Sequence, residues 1–230
     1  MLLSTPGIVL HTTPYAESSV VAKVFTRQLG LRSYLIKGVR GRSGRVKQNM
    51  LQPLSCLDMV VYDNPHSGLN YTKELSPRHP AADTDPISNA LRFFMTEVLY
   101  KALREDEPMP GLWDYVEQTA QSFATSTASS LPIHFLLTLA HHLGIAPLDN
   151  YNTPTQFFDL QEGRYVASLS DTTLSDKLSL SLHLFLIEEH PQVPLETRRK
   201  LIDALITYYH LHLSGFAHFH SHDILHTLLK

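Results

Sequence analysis

The hydrophobic period of this chain changes from strand to helix at Ser76-Pro77-Arg78-His79-Pro80, and nothing else in it constrains the fold as strongly. Before that joint, short runs of β-branched and aromatic residues alternate with turn residues. They are Ile8-Val9-Leu10, Pro14-Tyr15-Ala16-Glu17-Ser18, Val20 to Phe25, Ser33 to Lys37, Leu57 to Tyr62 and Leu69 to Thr72, with a turn at Leu29-Gly30. Runs of this length and spacing read as antiparallel strands of a sheet that closes or sandwiches. After the joint the period becomes helical. Leu91, Phe94, Met95, Val98, Leu99 and Ala102 fall on one stripe, between Pro86 and Glu107-Pro108-Met109-Pro110-Gly111.

A second helix is predicted from Leu112 to about Phe123. A third runs from Pro132 through Phe135 to Ala140, is apolar nearly all round and therefore central, and ends at Gly144. Leu201, Ile202, Leu205, Ile206, Tyr209 and Leu213 make a last stripe, ended by Gly215. Leu178, Leu180, Leu182, Leu184 and Leu186 alternate as in a strand. Ser175-Asp176-Lys177 before them and Glu188-Glu189-His190-Pro191 after them look like helix ends, so a helix is expected. Phe157 to Val166 reads as a hairpin turning at Glu162-Gly163. The expected fold class is α+β: a five-stranded β-barrel over 1–80, then a mostly α-helical domain over 81–230 with a hairpin insertion near 155–168. An OB-fold fits the strand count, as does an SH3-like barrel, and periodicity does not separate them.

The chain has 230 residues, 43% of them hydrophobic, which supports a core and excludes a disordered or collagenous chain. No apolar run reaches the roughly 20 residues of a membrane span. Met1-Leu2-Leu3-Ser4-Thr5-Pro6 lacks the basic start of a secretory signal. The single cysteine, Cys56, can form no internal disulfide and suits a reducing, cytoplasmic location.

Charge is unevenly placed. Residues 1–80 carry ten Lys/Arg against four Asp/Glu, a balance of +6, and residues 81–230 carry nine against eighteen, a balance of −9. The positive excess is densest in Lys37-Gly38-Val39-Arg40-Gly41-Arg42-Ser43-Gly44-Arg45-Val46-Lys47, which has five cations, three glycines and no acid. Guanidinium and ammonium groups contact phosphates, and glycine lets a backbone approach a ligand closely. Such a loop between two strands is what a sequence-tolerant groove for single strands uses. The predicted nucleic-acid contacts are Lys37, Arg40, Arg42, Arg45, Lys47, Arg27, Lys23 and Tyr34. Phe25, Tyr62 and Tyr71 are further aromatics on neighbouring strands, and half of these four rings are expected in the core. The plainer alternative is a solvated Arg/Gly loop. The segment lacks the Gly-Lys-Ser/Thr ending of a phosphate-binding loop, so nucleotide hydrolysis has no support.

Histidine is also abundant, with fourteen residues. His218-Phe219-His220-Ser221-His222 places three imidazoles at alternate positions beside Asp223, a pattern a metal-dependent phosphoesterase would use. Polar decoration after Gly215 is the reading preferred here, because no acidic general base stands at motif spacing. His134, His141 and His142 read as helix-surface or capped core residues. Arg198-Arg199-Lys200 reads as the solvated start of a helix or as a secondary phosphate contact. No Gly-x-Ser-x-Gly supports a nucleophile. No catalytic residue, metal or cofactor is expected. A protein-interaction adaptor without DNA binding is the remaining alternative.

The order of these pieces resembles the bacterial recombination mediator family RecO. Similar features are the Gly7-Ile8-Val9-Leu10 strand, Tyr15-Ala16-Glu17-Ser18-Ser19, and Lys37-Gly38-Val39-Arg40-Gly41 before a basic loop leading to Gln52-Pro53-Leu54. In the helical half they are Leu143-Gly144-Ile145-Ala146-Pro147, Tyr208-Tyr209-His210-Leu211-His212 with Gly215-Phe216, and Ser221-His222-Asp223-Ile224-Leu225. The resemblance implies an N-terminal OB domain and a helical C-terminal domain. It implies binding of single- and double-stranded DNA, strand annealing and joint work with RecR to load the RecA recombinase. It also implies docking on the acidic, apolar C-terminal tail of the single-stranded DNA-binding protein. Such docking needs a cation for the tail's carboxylate, and Arg92 and Lys101 are the candidates considered. Many family members carry a four-cysteine zinc module where this chain has Leu148 to Val166 without cysteine, so zinc is not expected there and the Phe157–Val166 hairpin stands in its place.

Overall fold

The computed structural model of the chain describes residues 1–39, 48–64, 67–79, 85–122, 130–216 and 219. Five strands, β1 (Leu2–Ala16), β2 (Ser19–Thr26), β3 (Gly30–Ile36), β4 (Cys56–Tyr62) and β5 (Asn70–Pro77), close into a barrel in the order β1-β2-β3-β5-β4. All pairings are antiparallel except β3 with β5, where Tyr34 and Leu35 pair with Asn70 and Tyr71 in parallel. The run Ile8–Leu10 and the start of the run Pro14–Ser18, as far as Ala16, are parts of one strand. Register shifts between Val9 and His11 and between Pro14 and Ala16 let β1 bend and pair with both neighbours without ending. β5 likewise runs through Pro77, into what reads as the joint.

Alternation builds the barrel's interior. Val20, Ala22 and Val24 of β2, Tyr34 and Ile36 of β3, and Leu57, Met59 and Val61 of β4 all point inward and are buried together. Gly7 of β1 sits among them. A Cβ there would lie 2.5 Å from Val24 Cγ1 and 2.7 Å from Met59 Sδ, so the interior admits no side chain at this point.

Two helices follow the barrel. α1 (Pro86–Ala102) starts at Asp85, whose carboxylate accepts from the Ile87 and Ser88 amides at 2.9 and 3.1 Å, with Pro86 in the first turn. It buries Leu91, Phe94, Met95, Val98 and Leu99, the stripe read from the sequence. α2 (Pro110–Gln121) buries Leu112, Trp113 and Val116, and Trp113 Nε1 donates to the Phe25 carbonyl of β2 at 2.9 Å. Between them the chain passes so close to the β2–β3 turn that a Cβ on Gly30 (φ +69°) would meet the Glu107 backbone at 2.5 Å.

By backbone proximity the chain divides into two compact units, residues 1–124 and 125–230. The joint at 76–80 thus marks the change from strand to helix, and α1 and α2 group with the barrel, because their apolar faces need a partner to cover them.

In the second unit, α3 (Leu131–His142), α4 (Asp176–Ile187) and α5 (Leu195–His212) pack on one another, and a hairpin of β6 (Phe157–Asp159) and β7 (Arg164–Val166) lies against α4 and α5. Tyr209 and Tyr208 of α5 donate to the Leu136 and Ile145 carbonyls, each at 2.7 Å. The alternating leucines form a helix because the serines between them take the inner positions. Ser179 Oγ donates to the Leu174 carbonyl at 3.1 Å and accepts from the Phe158 amide at 2.9 Å, while Ser181 Oγ donates to the Lys177 carbonyl at 2.7 Å. Buried Ser179, Leu182 and Phe185 then recur at helical spacing, and Leu180 is left at the surface.

The stretch from Leu148 to Val166 is held by polar side chains. Asn150 brackets Tyr165, donating to its carbonyl at 3.0 Å and accepting from its amide at 2.8 Å. Asp159, which is buried, accepts from the Gln161 and Glu162 amides at 2.8 and 2.9 Å and from Thr172 Oγ1 at 2.7 Å. Burial pushes its carboxyl pKa up, but the bonds from Thr172, Glu162 and Gln161 outweigh that and hold it below the ordinary range. Asp159→Ala, which strands these donors, should cost about 3 kcal/mol, read as a lower urea midpoint by circular dichroism. Because the folded-state pKa is depressed, this stabilisation is complete above the unfolded value of about 3.9 and fades as the pH falls through the folded one. The acid-side slope of stability should therefore be shallower in Asp159→Asn.

Candidate nucleic-acid interface

One end of the barrel carries exposed aromatic rings. Tyr62 and Tyr71 lie directly opposite each other on β4 and β5, so their side chains stand on the same face, and they are 50% and 48% exposed. Tyr71 is reached by Lys37, whose Nζ stands 5.8 Å from the ring centroid. Lys37 also lines an open groove of about 640 Å³ with Lys73, Thr72, Ser4 and Ser76 and with the carboxylates Asp58 and Glu74, which pair with Arg78 and Lys73. Tyr62 and Tyr71 line a second depression of about 520 Å³ beside it, with Asn64 and Ser67. The carboxylates lining these surfaces, Asp58, Asp63 and Glu74, are paired with Arg78, Arg32 and Lys73, so the rings, the hydroxyls and the Lys37 ammonium are what remains for a ligand with flat faces and anionic links.

Arg40, Arg42, Arg45 and Lys47 lie outside the described residues. On either side of them, Val39 and Leu51 are buried in the barrel core, and the Val39 amide donates to the Ser18 carbonyl at 2.8 Å. Lys37 is exposed at the mouth of this segment.

Lys23, Arg27 and Tyr34 are placed differently from the sequence expectation. Tyr34 is fully buried, because alternation pairs it with inward-facing Ala22; burial pushes its phenol to about 12, and it offers no stacking face. Phe25 is equally buried, so of the four aromatics considered only Tyr62 and Tyr71 are exposed. Lys23 pairs with Glu105. Arg27 clasps Asp114 with two bonds, Nε to Oδ1 at 2.7 Å and Nη2 to Oδ2 at 2.9 Å. Arg32 pairs with Asp63 and Asp106, and Arg78 with Asp58 and Glu117. Of the cations predicted to face a polyanion, Lys23 and Arg27 are thus engaged by carboxylates, as are Arg32 and Arg78, and most of these carboxylates come from residues 105–117.

The charge split reads differently once these partners are counted. Residues 1–124 hold thirteen Lys/Arg and twelve Asp/Glu, a balance of +1. Without Arg40, Arg42, Arg45 and Lys47 the same unit holds nine against twelve, a balance of −3. The surplus positive charge is therefore a property of one segment. The acids at 105–117 are visible in the sequence; that they face the barrel's cations is not.

His212 and His134 have structural surroundings. His212 Nε2 lies 2.9 Å from the Leu160 carbonyl and its ring 4.1 Å from that of Tyr208. His134 meets Phe185 edge-on at 5.2 Å, and burial lowers its pKa. His218, His220 and His222 lie outside the described residues. Arg92 donates to the Ala120 carbonyl at 3.3 Å and Lys101 pairs with Glu97 at 3.3 Å, so both cations considered for a carboxylate tail are engaged. Arg198 donates to Ser130 Oγ at 3.1 Å, and Lys200 lies 3.5 Å from Glu196. Among the described residues, no helix is long and apolar enough to cross a membrane.

Residues 1–81 match the family model described as "Recombination protein O N terminal". Over its length the chain is similar to proteins named DNA repair protein RecO. It is 30% identical to that of Porphyromonas gingivalis over 99% of both chains and 29% identical to that of Phocaeicola vulgatus over all of both. It is 30% identical to that of Christiangramia forsetii over 94% of both. An OB-fold barrel with this strand order, carrying the Lys37–Lys47 segment, followed by helices and matched end to end by these relatives, places the chain in the RecO family of DNA repair proteins.

Proposed function

We propose that this protein binds single-stranded DNA on the barrel, with the segment 37–47 neutralising phosphates and Tyr62 and Tyr71 stacking on bases. The observation that carries the reading is Lys37, which opens the basic segment and also stands over Tyr71. Charge and stacking thus meet at one place, while Lys23, Arg27, Arg32 and Arg78 are occupied elsewhere. Backbone contacts of this kind extend to duplex DNA with less stacking, and a surface that holds two strands by charge promotes their annealing. The action is non-catalytic and cytoplasmic. Joint work with RecR in loading RecA, and docking on the C-terminal tail of the single-stranded DNA-binding protein, belong to the same proposal and rest on family membership.

The test is the salt dependence of binding to a labelled oligothymidylate. Each phosphate contact contributes a slope of about −0.7 in log K against log salt, so five cations predict about −3.5. Replacing Arg40, Arg42 and Arg45 with Gln should reduce that slope by about 2. A flat salt response in the unaltered protein would overturn the proposal.

A further inference from the structure

Three potential metal ligands converge where α2 meets the barrel. Cys56 opens β4, His79 follows the end of β5, and Glu117 lies in the middle of α2. One ligand atom from each, the thiol sulfur, an imidazole nitrogen and a carboxylate oxygen, all lie within 4.8 Å of one another. Among the described residues no other group of three such side chains is drawn together in this way. His79 Nε2 lies 2.9 Å from Glu117 Oε1, and the Gln121 side-chain amide lies 3.0 Å from the same nitrogen.

We propose that Cys56, His79 and Glu117 bind one divalent cation of the zinc class, which staples α2 to the barrel. The donor set selects the ion: a thiolate with an imidazole suits zinc, whereas magnesium and calcium take oxygen alone. Water completes a tetrahedral shell. The Cys56 sulfur has only a long contact, 3.8 Å to the Leu54 carbonyl, so little is lost when it turns to a cation. Burial pushes its thiol to about 12, and a bound cation reverses that preference. On binding, the Cys56 S–H bond breaks, its proton passes to solvent and the sulfur's electron pair forms the bond to the metal; no oxidation occurs.

Two guanidiniums oppose a cation here: Arg92, which acts electrostatically on Cys56, and Arg78. Arg78 Nε lies 2.6 Å from Glu117 Oε1 and its Nη1 2.7 Å from Asp58 Oδ1. A carboxylate has two oxygens, so Glu117 can serve both partners, and Asp58 keeps the guanidinium neutralised if it does not.

The experiment is cobalt(II) titration of the full chain after treatment with a chelator, with zinc(II) then added as competitor. Cys56 is the chain's single cysteine, so any thiolate-to-cobalt charge-transfer absorption reports this site alone. The expected result is one equivalent taken up with that absorption, reversed by zinc, and lost in Cys56→Ser. His79→Ala and Glu117→Gln should weaken uptake at least about tenfold, since even groups one shell further out cost that much. Zinc should also raise the urea midpoint of the unaltered chain and leave that of Cys56→Ser unmoved, with circular dichroism confirming that all three variants fold. Absence of the absorption at one equivalent overturns the proposal. So does uptake without it that is abolished by replacing His218, His220 and His222 with Ala.

Discussion

Replacing Tyr62 and Tyr71 together with Ala should weaken binding to single-stranded DNA by about 30-fold or more. Base–aromatic stacking is worth roughly 1–3 kcal/mol per base, and 1.4 kcal/mol is tenfold. Both rings are half exposed and opposite each other on β4 and β5, so their loss removes a contact surface and little core. Duplex DNA, whose bases are already stacked, should lose much less. Tyr62→Phe with Tyr71→Phe should keep nearly all the affinity, because the π-face remains. Unaltered oligothymidylate binding by the double Ala variant would place the DNA elsewhere on the protein. The slope of log K against log salt should stay near that of the unaltered protein, which separates stacking from charge.

Trp113→Ala should destabilise the first unit by about 3–5 kcal/mol, the range for truncating a large buried aromatic. Trp113 is buried on α2, donates to the Phe25 carbonyl and lies under the Arg78 guanidinium at 5.8 Å. Its loss opens a cavity and weakens the docking of the helix that carries Asp114 and Glu117, the partners of Arg27 and Arg78. Trp113→Phe, which keeps most of the apolar volume and drops the N–H bond, should cost about 1–2 kcal/mol. Urea unfolding by circular dichroism measures both. A shift below about 1 kcal/mol for Trp113→Ala would show that α2 contributes little to the barrel's stability.

The elements themselves were legible from local pattern. The inward set Val20, Ala22 and Val24, the α1 stripe from Leu91 to Ala102, and the hairpin turning at Glu162-Gly163 follow from side-chain period and turn chemistry. Leu178 to Leu186 became a helix against the period of its leucines because the neighbouring serines could bond carbonyls and one amide within the fold. The candidate site was legible in part. The basic segment 37–47 announced itself by composition, and the exposed rings Tyr62 and Tyr71 were among the four considered. Tyr34 is buried where the sequence predicts a contact, because strand alternation shows that two faces exist without showing which one closes inward.

Sequence alone determined the change of period at 76–80, the strand and helix content on either side of it, and the concentration of cations at 37–47. Only the tertiary structure decided which cations are already engaged. Lys23 meets Glu105 across 82 residues and Arg27 meets Asp114 across 87. Period and propensity act between near neighbours in the chain, whereas an ion pair forms between whatever groups folding brings within about 4 Å.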